Sequence, residues 1–217
     1  MAARDETKLR GDVVAAMQAM EARGLNRGTS GNVSVRWGDG LLVTPSGVRP
    51  QDLTPEAVVF VDSQGQTAAD ALRPSSEWRM HKGILDGRAD VNAVVHCHSR
   101  HATILACVGK PIPAVHYMVG VSGGSSVPVA PYAVFGSEAL AQAVLDALGG
   151  RRACLMANHG QIAIAPGLSQ ALAIAEEIEE QAAIYCGALA IGAPNLLDEA
   201  QMDEILKRFG GYGQTRR

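Results

Sequence analysis

The 217-residue chain is poor in aromatic residues, with two tryptophans, three phenylalanines and four tyrosines, so any aromatic side chain outside the core calls for an explanation. It also lacks an excess of positive charge. Nineteen Lys and Arg stand against 22 Asp and Glu, for a formal net charge of −3 and a pI near 6.1. That balance gives no electrostatic footprint for nucleic acid, and the terminal Arg216–Arg217 pair reads as a solvated tail. No apolar run reaches the ~18 residues of a membrane span. The opening stretch MAARDETKLRGD is charged and has no apolar centre, unlike a secretory signal. These absences predict a cytoplasmic protein with neither a membrane nor a nucleic-acid partner. The four cysteines, Cys97, Cys107, Cys154 and Cys186, form no CxxC pair and sit in apolar surroundings, which predicts buried reduced thiols rather than disulfides.

The remainder is 47% hydrophobic and 19% charged, a globular balance, and its length predicts one domain, 1–217, with a substantial core. There is no internal repeat and no linker. Leu9, Val13, Val14, Met17 and Met20 predict a helix over 5–23 with Gly24 as its C-terminal cap. NVSVR and LLVT predict a hairpin about WGDG, and AVVFVD (57–62) predicts a further strand. Pro74 followed by Ser75 or Ser76 as cap predicts a helix ending near Gly87. VNAVVHCH reads as a strand and SRHATILACVG as the helix after it. A loop rich in Gly, Ser and Pro covers 109–137. A helix (138–148), strands ACLMA and QIAIA, a long helix (169–191) and a short one (198–208) complete the chain. The mixture predicts a single α/β domain with helices on both faces of a sheet.

Half of the six histidines fall in AVVHCHSRHATI, residues 93–104. On a strand, His96 and His98 share a face while Cys97 points into the core, and two imidazoles so placed can converge on one cation. Zinc favours such nitrogen ligands. His101 falls past the strand, in the first turn of the next helix, and is less well aimed. Taken alone, H-x-H also fits a pair of structural histidines. A catalytic zinc site has three protein ligands, and the polar Asn-His-Gly inside LMANHGQIAI offers His159 as the third. RGTSGN (27–32), TPSG (44–47) and PSSE (74–77) each resemble an anion cradle, with small residues, hydroxyls and a helix N-terminus. Each alone is an ordinary turn or cap; three together with a metal describe a site for a phosphorylated ligand. No lysine joins them: Lys8, Lys82, Lys110 and Lys207 read as surface positions or helix ends, which disfavours Schiff-base chemistry.

GTSGNVSVR, TPSG, PSSEWRMH, NAVVHCH, IPAVHYM, VPVAPYAVFG and NHG occur in that order over 28–160, with KRFGGYG near the C-terminus. In these motifs the chain resembles the class II aldolase/adducin family, most closely its zinc-dependent L-fuculose-1-phosphate aldolases. The resemblance implies a central, mostly antiparallel β-sheet flanked by helices on both faces. It implies His96, His98 and His159 as ligands of one Zn2+ per subunit, with Co2+ or Mn2+ as substitutes. Glu77 is then the fourth ligand of the empty enzyme and the general acid/base once substrate displaces it. Gly31, Asn32, Ser46, Gly47, Ser75 and Ser76 match phosphate-binding positions. Tyr117 matches a catalytic tyrosine that enters a neighbouring subunit's site in a ring-shaped homotetramer, and Phe135 and Tyr212 match the aldehyde side. His81 and His101 have no metal role in that pattern. His81, four residues after Glu77, is either a support for its carboxylate or a buried structural histidine, and His116 is open between packing and substrate contact.

The implied activity is reversible cleavage of a ketose 1-phosphate, such as L-fuculose 1-phosphate, to dihydroxyacetone phosphate and an aldehyde such as L-lactaldehyde. A 5-deoxyribulose or 5-methylthioribulose 1-phosphate aldolase of 5-deoxypentose salvage fits the residues equally, and a methylthioribulose-1-phosphate dehydratase also needs zinc and a carboxylate. A related ribulose-phosphate 4-epimerase typically has aspartate at the position of Glu77, which argues against it. A non-enzymatic adducin-like assembly domain would lack the full histidine triad, which this chain has.

Overall fold

In the computed structural model, which describes residues 5–209, seven strands form one sheet in the order β3-β2-β1-β4-β7-β6-β5. The strands are β1 (Asn32–Trp37), β2 (Gly40–Val43), β3 (Val59–Val61), β4 (Ala93–Cys97), β5 (Val129–Ala130), β6 (Ala153–Met156) and β7 (Gly160–Ala165). Every pairing is antiparallel except β5 with β6. The helices are α1 (Glu6–Ala22), α2 (Trp78–Gly87), α3 (Arg100–Cys107), α4 (Glu138–Leu148), α5 (Leu168–Ile191) and α6 (Glu199–Phe209). Among the described residues no helix is long and apolar enough to cross a membrane.

Alternation along the strands divides the core in two. Val33, Val35, Val95, Cys97, Leu155 and Ala163 face α1, α3 and α5. Val43, Val94, Cys154, Ile162 and Ile164 face Met80 and Ile84 of α2 and Leu140 and Val144 of α4. The central strands β4 and β7 are buried along their whole length, as strands covered on both sides must be, and their continuous apolar runs follow from that.

Most element ends agree with the sequence pattern, and the differences have physical reasons. Asp5 caps α1 by accepting from the Thr7 N–H at 3.0 Å, and Gly24, just past the C-cap Arg23, takes the left-handed conformation. Neither Ser75 nor Ser76 caps α2: the cap position is Glu77, because Ser75 N donates to Thr44 O at 2.9 Å and belongs to a bridge between Pro45 and Pro74. The strand expected at 57–62 contracts to Val59–Val61 after a 3-10 turn at Pro55–Ala57. The segment 109–137 is not all loop, since it contains a 3-10 helix at Tyr117–Ser122 and the two-residue β5. The four cysteines are free, and only Cys97 and Cys154 are buried; Cys107, at the last turn of α3, is exposed and Cys186 half-buried. Burial pushes the Cys97 and Cys154 thiols up to about 12.

Arg36, near the end of β1, fastens α2 to the sheet. Its guanidinium donates to the carbonyls of Leu85, Arg88 (3.2 Å) and Val91 (2.9 Å) and to Asn92 Oδ1 (3.2 Å). A cation at a helix C-terminus also meets the negative end of the helix dipole. Arg36→Met is expected to lower stability by about 2–3 kcal/mol, read as a shifted midpoint in urea. An unshifted midpoint would show that water satisfies these carbonyls equally well.

Candidate active site

The sheet register brings the polar residues together. Asn32 on β1 pairs directly with His96 on β4, so both side chains leave the same face, the one covered by α2. Glu77, capping that helix, lies against them. Cys97 points the opposite way into the core, as alternation requires. His98 sits one residue past β4, and its N–H donates to Asn26 Oδ1 at 3.0 Å. His159 comes from the tight connection between β6 and β7, where Asn158 has a positive φ of 56°. Asn tolerates this region better than most residues. Gly160 follows, and a side chain there would begin 2.4 Å from Cys97 O and 3.0 Å from His98 Cδ2. The glycine therefore lets β7 close against the strand end that carries His98.

Glu77, His96, His98 and His159 offer ligand atoms that all lie within 4.8 Å of one another. His96 Nε2 is 3.0 Å from His98 Nε2 and 3.1 Å from Glu77 Oε2, and His159 Nε2 is 3.3 Å from Glu77 Oε1. The His96 tautomer follows from its other nitrogen. Nδ1 lies 2.9 Å from the carbonyl of Gln161, which only accepts, so Nδ1 carries a proton and Nε2 is the nitrogen turned towards the cluster. Glu77 Oε1 is buried and has no hydrogen-bond partner among the described residues. Electron-pair donors crowded round one point, including an orphaned carboxylate oxygen, fit a cation. Three imidazoles and a carboxylate are a donor set suited to zinc.

The electrostatics agree. Burial works against ionisation of Glu77, but the charge at His96, hydrogen bonds from His96 and Asn32 and the charge at His159 outweigh it and hold the carboxyl below its usual range. Burial, reinforced by the charge at His96, holds His98 and His159 each down to about 4, and chiefly burial holds His81 down to about 3. The carboxylate is thus ionised and the His98 and His159 rings are neutral, as metal ligands must be. The same shifts set an acid limit. Unfolding restores the ordinary histidine value near 6.5, so below it the unfolded chain binds more protons and stability falls with pH towards the folded values. Metal-free protein is expected to lose about 1–3 kcal/mol between pH 7 and 5, solvent screening at exposed His98 keeping the loss small. Urea titrations at the two pH values measure it, and equal midpoints would contradict it.

Beside the cluster lies a cavity of about 370 Å³. Its wall brings the three expected cradles together: Thr29 to Asn32, Pro45 to Gly47, and Ser75 to Glu77. The second and third are joined through Ser46 N to Arg73 O (2.9 Å) and Ser75 N to Thr44 O (2.9 Å). Gly31 has a φ of +72°, and a side chain there would overlap Asn26. Among the described residues no lysine or arginine lines the cavity. Phe135 is on its wall, as are Tyr132 and Asn158, which the sequence did not single out. The signal for Asn158 was its place before His159 in a strand-to-strand turn; Tyr132 had no signal beyond being an aromatic outside the core.

Other expected residues lie elsewhere. Tyr117 opens the 3-10 helix, is 49% exposed, stacks near Phe209 and does not line this chain's cavity. His116 caps that helix, its Nδ1 accepting from Met118 N at 3.4 Å, which favours packing. His101 is no ligand: its Nδ1 bonds Glu179 at 2.8 Å, and the same carboxylate takes the N–H groups of His101 and Ala102. His81 is buried beneath the cluster, touching Ser34 and Asn32 rather than Glu77 directly. Tyr212 falls outside the described residues.

A family model described as the class II aldolase and adducin N-terminal domain matches residues 11–186. The 5-methylthioribulose-1-phosphate/5-deoxyribulose-1-phosphate aldolase of Rhodospirillum rubrum is 47% identical over 207 residues, covering 95% of this chain and 93% of that protein. The L-fuculose phosphate aldolase of Escherichia coli (strain K12) is 42% identical over 210 residues, covering 96% and 97%. A solved structure of L-fuculose 1-phosphate aldolase matches with a TM-score of 0.90 at 36% identity, over 94% of this chain and 96% of that one.

Proposed function

The chain belongs to the class II aldolase and adducin family, and from that premise we propose that it is a zinc-dependent aldolase that reversibly cleaves a ketose 1-phosphate to dihydroxyacetone phosphate and a short aldehyde. The observation that carries this reading is the buried Glu77 carboxylate among three imidazoles, beside a cavity walled by hydroxyls and backbone amides. An assembly domain has no use for that arrangement. Cobalt or manganese would serve as substitute metals for such donors.

Loss of the C4 hydroxyl proton and scission of the C3–C4 bond release the aldehyde and leave an electron pair on C3, delocalised on to the C2 oxygen. A divalent cation in the cluster supplies Lewis-acid withdrawal at that oxygen. Glu77, ionised at rest, removes a proton from C3 in condensation; in cleavage it takes up a proton from solvent once substrate displaces it and delivers that proton to C3. The residues at 31–32, 46–47 and 75–76 hold the phosphate, and this remote contact fixes the reacting carbon. Tyr117 lies off its own chain's cavity and is half exposed, which suits delivery to a neighbouring copy, where it accepts the C4 hydroxyl proton; we take the working assembly to be a homotetramer with shared sites. Phe135 contacts the aldehyde half, and we assign Tyr212 to the same side on the resemblance alone.

Two substrate readings remain, L-fuculose 1-phosphate and the 1-phosphates of 5-deoxyribulose or 5-methylthioribulose. The higher identity to the Rhodospirillum rubrum relative and the apolar wall of Ala133 and Phe135 favour the second, whose aldehydes lack the hydroxyl that lactaldehyde carries beside its carbonyl. The test incubates metal-replete protein with dihydroxyacetone phosphate and lactaldehyde, acetaldehyde or methylthioacetaldehyde, identifies the products and compares kcat/KM. Highest kcat/KM for lactaldehyde would restore fuculose phosphate. Failure to form any C–C bond, with water lost from methylthioribulose 1-phosphate, would make the protein a dehydratase.

A further inference from the structure

His81, on α2, is wholly buried and turned to the β1 residues of the face that this helix covers. Its Nδ1 lies 2.7 Å from Ser34 Oγ and its Nε2 2.5 Å from Asn32 Oδ1, while Asn32 Nδ2 donates to Glu77 Oε2 at 3.0 Å. Ser34 and Asn32 share a face of β1 because they are two residues apart. Chemistry permits one polarity along this chain. A carboxylate only accepts, so Asn32 presents its NH2 group to Glu77 and its carbonyl to His81. His81 Nε2 therefore carries the proton, and Nδ1 faces the Ser34 hydroxyl, which can donate to it. Reversal at Asn32 would set its carbonyl against the carboxylate, two acceptors together.

We infer that Ser34 and His81 are positioning residues that act through Asn32 to fix the rotation of the Glu77 carboxylate, engaging Oε2 and leaving Oε1 for the cation and the proton in transit. The asymmetry at Glu77 supports this: Oε2 has the Asn32 hydrogen bond, whereas Oε1 is buried without a hydrogen-bond partner among the described residues. A histidine present only to fill volume would cost less as an apolar side chain in these surroundings, because burying a polar ring without full pairing is unfavourable. The arrangement also gives Asn32 a duty besides phosphate: its carbonyl and one amide hydrogen are committed to His81 and Glu77, leaving one hydrogen for a ligand.

The orienting role stands on geometry; its effect on turnover rests on the aldolase reading, so the experiment reads the two separately. Zinc affinity, by competition with a chromophoric chelator, is measured with kcat, KM and thermal midpoint for His81→Met, His81→Gln and Ser34→Ala. His81→Met removes the donor to Asn32, and His81→Gln places an amide N–H near the Nε2 position. His81→Met should weaken zinc binding about 10-fold and lower kcat about 10–100-fold with KM little changed, as for outer partners of metal ligands, and His81→Gln should recover most of both. Ser34→Ala should shift both in the same direction by less. Zinc affinity unchanged in His81→Met, or His81→Gln as impaired as His81→Met, would overturn the proposal. Should His81→Met fail to fold, unchanged zinc affinity and kcat in Ser34→Ala would overturn it. A protein without aldolase activity would still show the loss and recovery of zinc binding if the orienting role holds.

Discussion

On the proposed aldolase reading, Glu77→Gln is expected to fold and to hold an added divalent metal on its three histidines while kcat falls by about 10²–10⁴, the contribution of a positioned general acid or base. The structure permits the swap sterically. The new side-chain carbonyl can take the place of Oε2 and accept from Asn32. The NH2 group then occupies the position of Oε1, facing His159 Nε2, where it can neither ligate nor exchange a proton with carbon. Turnover, metal content and the urea midpoint are the required measurements. A kcat within a few fold of the parent protein's, with metal present, would remove Glu77 from the chemistry and transfer the proton to another group.

Metal removal is expected to have an effect at least as large. Dialysis against a strong chelator should abolish turnover, and added zinc should restore it. The same treatment should lower the thermal midpoint, because a cation at 100–1,000 times its dissociation constant stabilises the folded state by about 2.7–4.1 kcal/mol. For a chain of this length that corresponds to a shift near 10 °C. The reason lies in the four ligand atoms turned towards one point, of which Glu77 Oε1 has no hydrogen-bond partner among the described residues. Full activity in a preparation shown to be metal-free would defeat the Lewis-acid account.

What could be read in advance followed from local periodicity. A period of two placed His96 and His98 on one side and Cys97 on the other, and that partition holds. Asn-His-Gly between apolar runs pointed to His159. Three small-residue segments announced an anion cradle, and they do share a cavity. Features settled by distant contacts were not legible. Glu77 caps α2 because the bridge to Pro45 takes Ser75 away. The two-residue β5 exists because β6 offers an edge, and two residues carry no pattern. Asn32 could be read as a phosphate ligand, but not as the link between residues 77 and 81, because cross-strand register decides which side chains meet. The spacing of Glu77 and His81 suggested a direct contact, and the structure routes it through a third residue on another element.

The cluster draws on three separated parts of the chain: the cap of α2, the end of β4 and the turn before β7. A nascent or partly melted polypeptide possesses only the His96–His98 pincer, a feeble chelate. A metal that needs all four ligands is therefore captured late, after the hairpin bearing His159 has closed, and would work as a seal on a finished protein rather than as a seed for its assembly. Release of a metal loaded into the cluster would then be a sensitive gauge of whether that hairpin is still docked, readable with an indicator dye before any bulk melting.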